Sequence, residues 1–112
     1  MNEALLQFTW QYSLYNSAAL QTVEGEPVTI IHPGQRNTNA GPDFLDARIK
    51  IGTTTLAGNI ELHVNSSDWL KHDHQNDDAY KNLILHVVYH NDVPAFNNIP
   101  LLELAAHIPA HI

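Results

Sequence analysis

A chain of 112 residues, 44% apolar and 15% charged, fits one domain around one modest core, and no internal repeat or low-complexity tract interrupts it. Five Lys and Arg against twelve Asp and Glu leave a formal charge of −7, which argues against a nucleic-acid binder that works through clustered cations. Without cysteines, a basic secretory leader or an apolar run of bilayer length, the sequence reads as a soluble cytoplasmic protein with no disulfides and no membrane partner.

From Glu3 to about Tyr15, Leu5, Phe8, Tyr12 and Tyr15 recur at helical spacing, with Leu6 and Trp10 widening the stripe, so an amphipathic helix packing on a sheet is expected. Leu20–Val23 and Val28–His32 read as two short strands joined through Glu24-Gly25-Glu26-Pro27, a first hairpin. The stretch His32 to Pro42, rich in Pro, Gly and Asn, reads as a structured loop leading into Asp43. From Leu45, alternation sets Leu45, Ala47, Ile49 and Ile51 on one face of a strand and Asp46, Arg48 and Lys50 on the other. After a turn at Gly52-Thr53, Leu56, Gly58, Ile60, Leu62 and Val64 share one face of the next strand, while Asn59, Glu61 and His63 share the opposite one.

Asn65-Ser66-Ser67-Asp68 supplies N-cap oxygens before Trp69, which places helix or helical turns between there and Lys81. Leu83–Tyr89 is an apolar run suited to a central strand buried on both faces, and Leu101–Leu104 is a last strand candidate. The apolar tail to Ile112 suggests self-association or further chain beyond it. The predicted class is α+β: a single domain, residues 1–112, with a mixed, mostly antiparallel sheet flanked by the N-terminal helix and a second helical segment.

The chemistry rests on two short acidic motifs on adjacent strands, Gly41-Pro42-Asp43-Phe44 and Glu61-Leu62-His63. Carboxylates brought together there would hold a divalent cation, magnesium or manganese, because hard oxygen ligands suit it, and such an ion is the minimum equipment for metal-assisted phosphodiester hydrolysis. The ion, and eight histidines at mildly acid pH, would offset part of the acidic charge, so a nucleic-acid partner stays open. Register decides the matter. A two-residue turn at Gly52-Thr53 pairs Asp43 with Leu62 and turns it away from Glu61, whereas a three-residue turn or a bulge sets Asp43 against His63, on the side of Glu61. The competing reading makes Asp43 a turn cap and Glu61 a solvated strand residue, in a non-catalytic binding or assembly module of the same fold.

His63 is the candidate to position or deprotonate water, as a neutral imidazole beside a carboxylate. A second candidate centre is the cluster His63, His72 and His74, with Asp68, Asp77 and Asp78 nearby, whose mixed donors would suit zinc or a related metal. His86, inside the apolar run, reads as a buried histidine bonded to a neighbour. Asn37 and Asn39 read as residues that hold their own loop.

The order helix, strands, strand pair, helical segment, strand resembles the α-β-β-β-α-β core of the restriction-endonuclease-like PD-(D/E)xK superfamily. Pro42-Asp43 and Glu61-Leu62-His63 fall where that pattern has its acidic residues, and the resemblance implies Asp43 and Glu61 as metal ligands in a nuclease. His63 stands where the superfamily has lysine, and Lys50 or Lys71 would have to supply one. Over nearly its whole length the chain also resembles the N-terminal part of the bacterial family called domain of unknown function 2851. That likeness rests on His32-Pro33-Gly34, the run Asn37 to Phe44, Gly58 to Val64, Ser67-Asp68-Trp69 and Leu85 to Tyr89. It implies a longer protein and no particular activity.

Overall fold

The computed structural model describes residues 1–71, 78–94 and 98–109. Helix α1 (Glu3–Gln11) precedes strands β1 (Val28–His32), β2 (Gln35–Arg36), β3 (Phe44–Ile51) and β4 (Thr54–Asn65); the short helix α2 (Asp68–Lys71) and strands β5 (Leu83–His90) and β6 (Leu101–Glu103) follow. The strands make one mixed sheet ordered β1-β3-β4-β5-β6, with β2 also on β3. Strands β1, β2 and β4 run antiparallel to β3, while β5 is parallel to β4 and β6 parallel to β5. The α+β class expected from the sequence is the class found. Among the described residues no helix is long and apolar enough to cross a membrane.

Helix α1 starts where Asn2 Oδ1 accepts the Leu5 N–H at 2.8 Å, satisfying one of the orphan donors of the first turn. It buries Leu6, Thr9 and Trp10 against the sheet, not the stripe through Phe8 and Tyr12. Phe8 and Tyr12 are 51% and 57% exposed and pack on each other with ring centroids 4.9 Å apart. Trp10 decides the rotation: it brings the largest apolar surface, and its indole N–H donates to the Pro33 carbonyl at 3.0 Å, so the ring is buried without an unmet donor. The helix stops at Gln11, Ser13 takes a φ of 53°, and Tyr15 doubles back to stack on Trp10 at 5.7 Å.

The expected first hairpin forms only around its turn: an antiparallel bridge joins Gln21 to Pro27, flanked by bonds from the Thr22 N–H to the Glu26 carbonyl at 2.8 Å and from the Val28 N–H to the Leu20 carbonyl at 2.9 Å, while the Val23 N–H donates to the Leu101 carbonyl at 2.9 Å. The segment thus reaches over to β6, while β1 pairs with β3. The loop between His32 and Phe44 also holds a short strand, β2, that the proline and glycine content concealed. Gly34 makes this possible with a φ of +94°, and a Cβ there would lie 3.0 Å from both the Leu45 carbonyl oxygen and Phe44 Cβ. Strand β5 is buried on both faces from Ile84 to Val88, as its composition implied. The helical segment after Ser67 consists of α2 and a 3-10 turn at Asp78–Tyr80, with residues 72–77 between them outside the described set.

The bend that matters most lies in β3. The turn at Gly52-Thr53 has two residues, and Ile51 pairs with Thr54 and Ala47 with Gly58. Between Ala47 and Phe44 the register slips by one, so Phe44 pairs with Ile60, and Asp46 sits in the bulge with a φ of 57°. Phe44 and Ala47, three residues apart, consequently enter the same core, fully or almost fully buried beside Ile60 and Leu62. Leu45, expected on that face, is half-buried instead.

Candidate functional site

Once the bulge has moved Phe44 opposite Ile60, the next position along β3 brings Asp43 to Glu61, on the face of the sheet away from the core. The expectation that a bulge would set Asp43 against His63 is corrected: the slip runs the other way, and the neighbour is Glu61 itself. The Asp43 N–H donates to Glu61 Oε1 at 3.2 Å, and the Leu62 N–H donates to Asp43 Oδ2 at 2.8 Å. Asp43 therefore stands where β3 runs out and satisfies a donor on β4.

Glu61 is only 3% exposed. Burial, then the hydrogen bond and the charge it meets at Asp43, hold its carboxyl well above the usual carboxylate range, and Glu3 on α1 adds to the effect. On its far side Glu61 meets His63, whose Nε2 lies 3.8 Å from Glu61 Oε2. His63 Nδ1 is 2.9 Å from His86 Nε2, and both rings are 1% exposed. Trp69, from α2, lies against both rings.

On the side of α1, Gln7 links the acid pair to the nearest cation. Its Nε2 donates to Asp43 Oδ1 at 2.9 Å, and its Oε1 accepts from Arg36 Nη2 at 2.8 Å. Arg36 also donates to the Asn37 carbonyl at 2.7 Å and lies over the Phe44 ring at 5.9 Å. The loop before Asp43 is tied by Asn37, whose N–H donates to the Asp43 carbonyl at 2.8 Å and whose side-chain amide donates to the carbonyls of Pro42 and Ala40 at 2.8 and 3.2 Å. Replacing Gln7 with Ala leaves a donor on Arg36 and an acceptor on Asp43 without this partner; urea denaturation is expected to show a loss of about 1–2 kcal/mol.

The family described as Protein of unknown function (DUF2851) matches the chain over residues 3–112. The chain belongs to that family. No curated protein and no solved structure matches it.

The DUF2851 chain thus brings Asp43, Glu61 and His63 together and joins Glu3, Gln7, Arg36 and His86 to them. Gln7 and Glu3 are a polar pair four residues apart on α1, a spacing that puts both on one side of a helix; that was the available signal. Nothing in the sequence ties Arg36 to Gln7 across 29 residues. Neither lysine considered as a substitute reaches the acid pair. Lys50 pairs with Thr29 and Thr55 at the far end of β3, about 23 Å along the strand from Asp43 at roughly 3.3 Å per residue. Lys71 pairs with Asp68 at 3.5 Å on the exposed side of α2. His72 and His74 of the alternative zinc cluster lie outside the described residues, and His63 meets His86 and Glu61.

Among the described residues no group of three or more His, Cys, Asp or Glu is arranged as a ready-made metal cage. Magnesium, for its part, is commonly held by one or two carboxylates with water and substrate oxygens completing the shell, and Asp43 and Glu61 offer two carboxyls. The acid pair has that chemistry, in oxygen donors only, on a face otherwise sealed by Trp69 and two histidines.

Proposed function

We propose that Asp43 and Glu61 form a divalent-cation site, for magnesium or manganese, and that the DUF2851 domain uses it to hydrolyse phosphodiesters in the manner of the PD-(D/E)xK nucleases it resembles. The observation that carries this reading is the bulge-dependent meeting of two carboxyls, one of them nearly inaccessible and raised above the usual carboxylate range by burial first and by Asp43 second. Such a pair is unfavourable as two bare charges and becomes favourable with a cation between or beside them. With the two-residue β2 and the terminal β6 set aside, the order α1, β1, β3, β4, α2, β5 supports the reading, since it can be laid over the superfamily's α-β-β-β-α-β pattern.

When bound, the cation would polarise the phosphoryl oxygens and activate a water. The chain's own residues hold the frame: Asp43 and Glu61 supply oxygens, Gln7 and Arg36 fix the Asp43 side, and His63 steadies Glu61 from behind. With its ring 1% exposed, His63 serves this proposal as a positioning group in place of the water-deprotonating base considered from the sequence. Arg36 is the cation nearest the acid pair and the candidate to meet a substrate phosphate. The test is cleavage of single- and double-stranded DNA and RNA with Mn2+, alongside Mn2+ binding by calorimetry. Wild type is expected to bind and cleave, and Glu61→Ala to lose at least about 100-fold in rate, the scale of removing a group that holds transition-state charge. Absence of both binding and cleavage in wild type would overturn the reading.

A further inference from the structure

Glu61 on β4 and His86 on β5 are register partners in a parallel pair, and His63, two residues beyond Glu61, leaves the sheet on the same face. The two imidazoles meet edge to face at an interplanar angle of 88°, with Nδ1 of His63 and Nε2 of His86 2.9 Å apart. Both are sealed from solvent, and the His86 backbone N–H donates to the Pro100 carbonyl at 2.9 Å, which holds β5 in place under the ring.

Between two neutral imidazoles one nitrogen must donate and the other accept. If His86 donates, His63 carries its proton on Nε2 and turns an N–H toward Glu61; if His86 accepts, His63 turns a lone pair toward it. The Nε2 to Oε2 separation of 3.8 Å is longer than a direct hydrogen bond, so the ring is set toward the carboxyl and not locked on it.

We propose that His86 is a positioning residue of the acid site: its bond to His63 selects which form of the His63 ring faces Glu61, and so sets the carboxyl that receives the cation. The proposal deepens the cation-site reading and rests on it. Losing a partner one layer behind a ligand, the place His63 holds, weakens metal affinity by about 10- to 100-fold; His86 stands one layer further back, so the lower end of that range is expected.

The experiment compares wild type, His86→Phe, which keeps a ring of similar shape, and His86→Gln, which keeps a donor and an acceptor. Imidazole nitrogen NMR reads the His63 tautomer, and calorimetry reads Mn2+ affinity. Expected are a single His63 tautomer in wild type, mixed tautomers with Mn2+ bound about tenfold more weakly in His86→Phe, and recovery to within about threefold in His86→Gln. A folded His86→Phe with one tautomer and wild-type Mn2+ affinity overturns the proposal. Should His86→Phe fail to fold, the wild-type spectrum decides: nitrogen–nitrogen scalar coupling across the ring pair supports it, and its absence overturns it. A wild type that binds no Mn2+ removes the cation reading, while the tautomer measurement still reports on His86 alone.

Discussion

Glu61→Gln is expected to make the metal-free protein more stable than wild type above neutral pH and to flatten its pH dependence. The Glu61 carboxyl is raised above its ordinary value of 4.5 by burial first and by Asp43 second, so the folded chain keeps a proton that the unfolded chain releases. Its contribution to stability is therefore complete below about pH 4.5 and declines as the pH rises toward the elevated folded value, at up to about 1.4 kcal/mol per pH unit. Glutamine keeps the shape, offers an N–H to Asp43 and does not titrate. Urea denaturation at pH 5, 6, 7 and 8 should show wild type losing stability with pH and the variant holding level, the difference at pH 8 reaching about 2 kcal/mol or more. Parallel slopes for the two proteins would refute the assignment. Mn2+ should reverse the order at pH 8, because an ion that binds the ionised form stabilises wild type and gives the amide nothing.

Gly58→Val should cost roughly 3 kcal/mol, at the upper end of what over-packing a filled site costs. A Cβ at Gly58 would lie 2.6 Å from Ile84 Cγ2 and 2.8 Å from the Asn82 carbonyl oxygen, and the latter is backbone. The Asn59 N–H donates to that same Asn82 carbonyl at 2.8 Å, where the parallel pairing of β4 and β5 begins. Relief would therefore require the start of β5 to move away from β4, taking the partner strand of Glu61 and His63 with it. Thermal unfolding checks the loss, and backbone amide exchange over residues 83–86 should accelerate with it. An unchanged melting temperature would mean that the strands part at no cost, against the geometry described.

Alternation was enough to place most of the sheet. The period-two pattern from Ala47 to Ile51, and from Leu56 through Ile60 and Leu62, follows from one face meeting a core, so β3 and β4 were legible apart from their ends. The apolar run at Leu83–Tyr89 likewise announced a strand covered on both sides. The bulge at Asp46 was foreseen only as an option, because one extra residue changes no periodicity until a partner strand is present to count against. Gly34 and β2 pack over Leu45 and Phe44 at that bulge, a tertiary contact that no local pattern announces. Helix α1 was visible but its rotation was not: the hydropathy of Phe8 and Tyr12 equals that of a buried stripe, and the deciding hydrogen bond from Trp10 runs to Pro33, 23 residues away. Asp43 and Glu61 stood out as candidates, yet Gln7 and Arg36 gave no local sign because a bridging amide is ordinary until its two partners are known.

The two ends of the fold are clasped: the Asn16 N–H donates to the His107 carbonyl at 2.8 Å, and His107 Nδ1 meets the Asn16 carbonyl at 3.1 Å. Between two residues 91 positions apart, this closure lies at the slow end of chain assembly, where entropy must be spent before the contact rewards it. As the chain emerges from the ribosome, Leu6 and Trp10 must wait for Leu102, Leu104 and Ile108 before their shared core is filled. Nascent chains that stop short of residues 101–109 should consequently be cut readily by proteases, and resistance should arrive abruptly, in one step, once that stretch docks.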